Sequence, residues 1–158
     1  MKDERRFHLR YRKQAAKKTT DLTLAGGQIL TMPLEWTISP ACRTVEAVAS
    51  GNVSLQEIER YLDDVMVSDA LPYRKLFDAS QAVSALVDGE MMLLGARLSA
   101  YTSLGPLGPL AIVAPATAIR QQAELFAALA PADRPLKIFK AVDAARKWLA
   151  TAAKDVQT

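Results

Sequence analysis

Leu110-Ala111-Ile112-Val113-Ala114-Pro115 is the stretch whose reading decides the fold. Five apolar residues follow one another with no polar residue between them. A strand with one wet face alternates apolar and polar positions, whereas a strand covered on both faces does not. Pro115 stops the run and suits the first turn of a following helix. A doubly covered strand followed by a helix points to a layered α/β arrangement.

The sequence on either side repeats that alternation of element types. Downstream, Ile119, Ala123, Phe126 and Ala130 give a helical stripe, Leu136 to Phe139 reads as a strand, and Val142, Ala145, Trp148 and Leu149 give a last helix. Upstream, a loop rich in Gly and Pro covers Ser103 to Pro109. Before it, a helix starts near Asp88 and buries Met91, Leu94, Leu98 and Tyr101. Pro72 precedes a strand over Tyr73 to Asp78. Ser54, with Glu57 three residues on, predicts a capping box for a helix that buries Leu55, Ile58, Leu62, Val65 and Met66. Leu34, Trp36 and Ile38, then Val45, Ala47 and Ala49, alternate around a turn at Pro40-Ala41 and predict a hairpin. The order is ββαβαβαβα. It predicts a mostly parallel five-stranded sheet with an antiparallel edge strand and four helices.

Residues 32–152 therefore form one α/β domain, with a C-terminal tail at 153–158. Residues 1–31 lack periodicity and read as a tail, disordered or partly helical. A start of the biological chain at Met32 is a second reading. Half of the chain is apolar and 23% is charged, as in an ordinary globular domain. The sequence pI is about 9.1, but the excess of positive charge is local. Residues 1–18 carry eight basic and two acidic side chains, while the remainder is net −3. Nucleic acid is therefore expected to meet the tail or nothing. No apolar run approaches the ~18 residues of a membrane span. The single cysteine, Cys42, excludes an internal disulfide and fits a reducing, cytoplasmic setting.

The only histidine is His8, in the tail. The body thus lacks the commonest general base, every Ser-His-Asp or Cys-His arrangement and the usual zinc ligand sets. Gly105-Pro106-Leu107-Gly108-Pro109 carries glycines, but its prolines lack the N–H groups of a phosphate cradle. Asp78, Asp88 and Glu90 lie near one strand-to-helix crossing, where they would either hold magnesium or serve as helix-start acids; the second is the preferred reading. No catalytic residue, cofactor or metal is expected, and an enzyme working through carboxylates or a borrowed metal ranks third.

From Asp78 onward the chain resembles a known family. The element order, the Phe77-Asp78-Ala79-Ser80 strand end, the Val113-Ala114-Pro115 junction and the closing Phe139…Ala144…Trp148-Leu149 segment are similar to the SpoIIAA-like family, a STAS/SEC14-type group related to bacterial anti-sigma-factor antagonists. The resemblance covers about Leu34 to Ala150. It implies a cytoplasmic module that binds a protein partner, with homodimerisation as a further expectation. In switched antagonists a phosphorylatable serine precedes a glycine at a helix start. Here the glycine falls on Gly89 and the serine position is Asp88, so the phosphate switch is absent. Asp88 is expected to cap the helix, with a phosphate mimic as the second reading. The binding surface is expected around Asp78, Ser80, Asp88, Gly89 and Met92, although Met92 and Leu93 read more simply as part of a wide core face. The alternative function is binding of a small amphipathic molecule or lipid. In that reading the loop from Tyr101 to Leu110 lines a cleft through Leu104, Leu107 and Leu110.

Overall fold

Val45, Ala47 and Ala49 are buried, while Glu46, Val48 and Ser50 between them are exposed. A period of two sets one face of a strand on a core and the other toward solvent. In a computed structural model, which describes residues 22–23, 29–30, 32–84 and 86–155, this segment is β4 (Thr44–Asn52). It pairs antiparallel with β3 (Leu34–Ser39). β5 (Arg74–Ser84), β6 (Leu110–Val113) and β7 (Leu136–Phe139) follow in order, each parallel to its neighbour. The sheet order β3-β4-β5-β6-β7 is thus the expected parallel sheet with one antiparallel edge strand. A two-residue ladder, β1 (Leu22–Thr23) with β2 (Ile29–Leu30), lies upstream and was not expected. The other expectations for residues 1–31 fall outside the described residues.

Four helices connect and cover the sheet: α1 (Leu55–Val67), α2 (Asp88–Tyr101), α3 (Thr117–Leu129) and α4 (Val142–Asp155). None is long and apolar enough to cross a membrane. The first three serve the crossovers between parallel strands, and α4 follows β7. On one face, Leu34, Val45, Ala47 and Ala49 pack with Tyr61, Leu62 and Val65 of α1 and with the apolar side of α2. Leu110, Ile112 and Ala114 continue that face and meet Ile119 and Ala123 of α3. On the other face, Leu76, Ala111 and Val113 meet Ala145 and Leu149 of α4. All four β6 residues are buried, which explains why the run through Val113 shows no alternation. Arg146 of α4 fastens the second face by donating twice to the Glu46 carboxylate of β4, at 2.6 and 3.2 Å.

The start of α1 follows the sequence pattern. The Glu57 N–H donates to Ser54 Oγ at 3.3 Å, and the Glu57 carboxylate accepts the Ser54 N–H at 2.8 Å. Two amides that the helix leaves unpaired are thereby satisfied. Ser54→Ala is expected to lower the unfolding free energy by about 1 kcal/mol in urea denaturation, with an unchanged m value.

β5 departs from expectation by running to Ser84 instead of ending at Asp78. Its pairing with β6 stops at Asp78↔Val113, so its second half pairs with β4 alone. There the register passes from Val48↔Asp78 to Ser50↔Gln81, three residues of β5 against two of β4. Such a bulge leaves an amide outside the ladder. The Asp78 carboxylate accepts the Ser80 N–H at 3.0 Å and fills that role.

Candidate functional site

The predicted crossing is formed by the end of β5 and the start of α2. Asp78 and Ser80 are half-buried and belong to the bulge; Asp88 and Gly89 are exposed on the first turn of α2. Asp88 does not cap that helix. Val87 is the N-cap residue, and its N–H is accepted by the Glu90 carboxylate at 3.0 Å. Asp88 sits one position too far along for the β-region backbone a cap needs, so its carboxylate faces solvent by the helix start. No group of three or more acidic, His or Cys side chains disposed to hold a metal ion occurs among the described residues. Asp78, Asp88 and Glu90 therefore do not form the cluster that the magnesium reading needed.

Met92 and Leu93 also differ from the core reading. Met92 is 65% exposed and Leu93 62%. The helix turns Met91, Leu94 and Leu98 inward, a stripe too narrow to include them. With Val83 and Val87, also exposed, they leave four large apolar side chains near the crossing in contact with water. Gln122 of α3 ties the crossing to the body: its side-chain oxygen accepts the Leu86 N–H at 3.0 Å, and its amide donates to the Leu86 carbonyl.

A second site lies inside the domain. A cavity of about 140 Å³ separates β5 from α2 and is bounded on its flanks by α1 and α3. Phe77 and Ala79 of β5, and Met91, Leu94 and Leu98 of α2, supply much of its apolar wall. Leu107 of the Gly- and Pro-rich loop and Leu110 at the start of β6 line it as the second reading expects, whereas Leu104 is exposed. Period two along β5 points Lys75 to the same side as Phe77 and Ala79. Lys75 is accordingly a cavity-lining residue, 3% exposed.

Besides Gln122, three polar side chains absent from the sequence-based site meet this cavity. Lys75 Nζ donates to the carbonyls of Leu71 at 2.6 Å and Tyr73 at 2.8 Å. Arg134, 8% exposed, donates from Nε to the Gly108 carbonyl at 2.9 Å. The hydroxyl of Tyr61 is buried and has no hydrogen-bond partner among the described residues. Burial pushes the Tyr61 phenol up to about 12, with the Arg134 charge opposing. Burial, then the Arg134 charge, pulls Lys75 down to about 6. Burial lowers Arg134 to about 10, still well above neutrality, so it remains a cation at pH 7. Arg134 is thus the electrostatic neighbour of both other groups. No carboxylate pairs with Lys75 or Arg134 among the described residues; the ion pairs there are those of Arg97 with Glu59 and Asp63, and of Arg146 with Glu46.

The polar groups sit where the loops entering β5, β6 and β7 meet, at the N-terminal ends of the parallel strands. Arg97 closes α2 onto α1, donating to Tyr101 Oη at 2.8 Å and to the Asp63 carboxylate. The result is an apolar chamber with a cationic, hydrogen-bond-donating end. Compared with known family models and with curated proteins, the sequence finds no match.

Proposed function

We propose that this domain is a non-catalytic binding module whose ligand is a small amphipathic molecule held in the chamber between β5 and α2. The observation that carries this reading is the Tyr61 hydroxyl, buried without a partner among the described residues, at a cavity whose described lining also has two buried basic side chains and no carboxylate. Buried polar groups are ordinarily paired, and an exception asks for a reason. A ligand with an apolar body and a polar end would bury its body against the leucines and bring acceptors to these donors. The resemblance to the SpoIIAA-like family favours a binding role by analogy alone.

A lysine with a depressed pKa can also serve as a nucleophile. Against that role, two of the Lys75 N–H groups are held by backbone carbonyls, and among the described residues no carboxylate pairs with it and no histidine occurs. Mass spectrometry of the native protein, with fluorescence titration of N-phenyl-1-naphthylamine as an uncharged apolar probe, tests the proposal. A bound small molecule released on denaturation, or saturable probe binding, is the expected outcome. An empty protein that leaves the probe dark would sink it.

A protein partner at the crossing is the second reading, favoured by the exposed Val83, Val87, Met92 and Leu93. Apolar patches of this kind mark contact surfaces when contiguous. It ranks below the chamber because single exposed apolar residues are common on any surface, whereas buried unpaired donors are not.

A further inference from the structure

We infer that the chamber takes a straight-chain aliphatic carboxylate, its carboxylate lodged among Lys75, Arg134 and Tyr61 and its chain lying along Phe77 toward Leu94. This rests on the ligand-binding reading and specifies the ligand's charge, head group and size.

The sign of charge comes first. Both ionisable side chains with nitrogen donors at this end are basic, and neither has a carboxylate partner among the described residues. A cationic head would meet the Arg134 cation, and would disfavour protonation of Lys75, in a poorly solvated space where charge interactions are screened least. An anion supplies the missing counter-charge.

Donor capacity comes second. Lys75 directs two N–H groups to Leu71 and Tyr73, and gains a third for a ligand when the arriving anion protonates the amine. Arg134 spends Nε on Gly108, which leaves the terminal N–H groups of a five-donor guanidinium. Tyr61 contributes an O–H with no partner in the described protein. These groups offer donors and ask for acceptors. A carboxylate has two acceptor oxygens and no donor. The other polar group on the wall, Gln122, spends its oxygen and one N–H on the Leu86 backbone.

Size comes third. A cavity of about 140 Å³ is roughly ten times what a single water needs, which corresponds to a chain of about ten heavy atoms. A two-chain lipid is several times too large. The charged group facing Lys75 is Arg134, from the loop before β7; the Tyr61 phenol of α1, which shares the cavity wall, is neutral because burial pushes it up to about 12. An arriving carboxylate opposes the effect of burial on Lys75, so binding above pH 6 draws a proton onto the amine.

Isothermal titration of the full chain at pH 7 with octanoate, 1-octanol, octylammonium and octyl phosphate tests this. Octanoate is expected to bind tightest, octanol about tenfold more weakly, and octylammonium not measurably. Tyr61→Phe, which keeps the ring and its packing, is expected to weaken octanoate by about threefold to tenfold and to leave octanol unchanged. Octanol binding as tightly as octanoate overturns the head-group assignment while the chamber reading stands. Octyl phosphate ahead of octanoate overturns the carboxylate assignment in favour of a phosphate head. Failure of all four ligands overturns both the assignment and the chamber reading.

Discussion

Lys75→Met is expected to flatten the pH dependence of stability between pH 6 and pH 10. Lys75 is 3% exposed and its amine is held down to about 6, first by burial and then by Arg134. In the unfolded chain the same amine titrates near its ordinary value of about 10.4. Between those two values the unfolded chain binds a proton that the folded protein does not. Stability from this group is therefore complete above pH ~10.4 and declines as pH falls toward 6, by up to about 1.4 kcal/mol per pH unit. The two carbonyl bonds favour the charged amine and make that slope an upper bound. Methionine fills similar volume without titrating, so the wild-type minus variant difference isolates the lysine. At pH 10 the variant is expected to be the less stable one, because the Leu71 and Tyr73 carbonyls lose a donor at a cost of about 1–3 kcal/mol each. Toward pH 6 the gap is expected to close or invert. Urea denaturation at pH 6, 7, 8, 9 and 10 measures it. A difference independent of pH would mean that Lys75 stays protonated in the fold, as an ion satisfied by its carbonyls.

The same residue shows where reading a sequence stops. The layers were legible because burial on both faces of a strand erases alternation, and Leu110 to Val113 show that directly. The hairpin, the Ser54–Glu57 cap and the inward stripe of α2 were legible because each is a local pattern with a local cause. Lys75 carries the inward parity of Phe77 and Ala79, so its burial was readable in principle from period two alone. Residue type points the other way, because lysine is almost never fully buried unless paired. Arg134 had no such signal. It lies in Pro131-Ala132-Asp133-Arg134-Pro135, which reads as a solvated connector, and its burial follows from where that loop meets the one before β6. Tyr61 lies on the inward side of α1 beside Leu62, but a tyrosine next to an aliphatic stripe carries no local signal of which side it takes. At the crossing the motif-based reading sets the helix cap on Asp88, one residue beyond where the cap falls. Asp78 steadies a bulge, and Glu90, two positions beyond Asp88, makes the cap. A motif carries position, whereas the hydrogen bond is decided by backbone geometry that the motif does not contain.

Gly108→Ala is expected to destabilise the domain by about 3 kcal/mol or more, while Gly89→Ala is expected to be neutral or mildly stabilising. The two glycines lie in unlike surroundings. A Cβ on Gly108 would stand 2.1 Å from the Tyr73 carbonyl oxygen and 2.5 Å from that of Pro72. Both obstacles are backbone atoms, so no rotamer change relieves them. The Gly108 φ lies outside the left-handed range, so the demand for glycine here is close approach alone. The contact matters because three loops are pinned at this point. The Gly108 N–H donates to the Leu71 carbonyl at 2.9 Å, the Gly108 carbonyl accepts from Arg134, and the Lys75 N–H donates to the Pro109 carbonyl at 2.8 Å. Pushing the strands of chain apart would strain those bonds together and displace the carbonyls that hold the Lys75 amine. Gly89 has nothing within 4 Å of a built Cβ and lies in the first turn of α2, where alanine is the better helix former by up to about 1 kcal/mol. Guanidinium denaturation of the two variants side by side measures the contrast. A Gly108→Ala variant as stable as the wild type would show that the loops entering β5 and β6 have room to separate, and that the polar end of the chamber is not held rigidly by this packing.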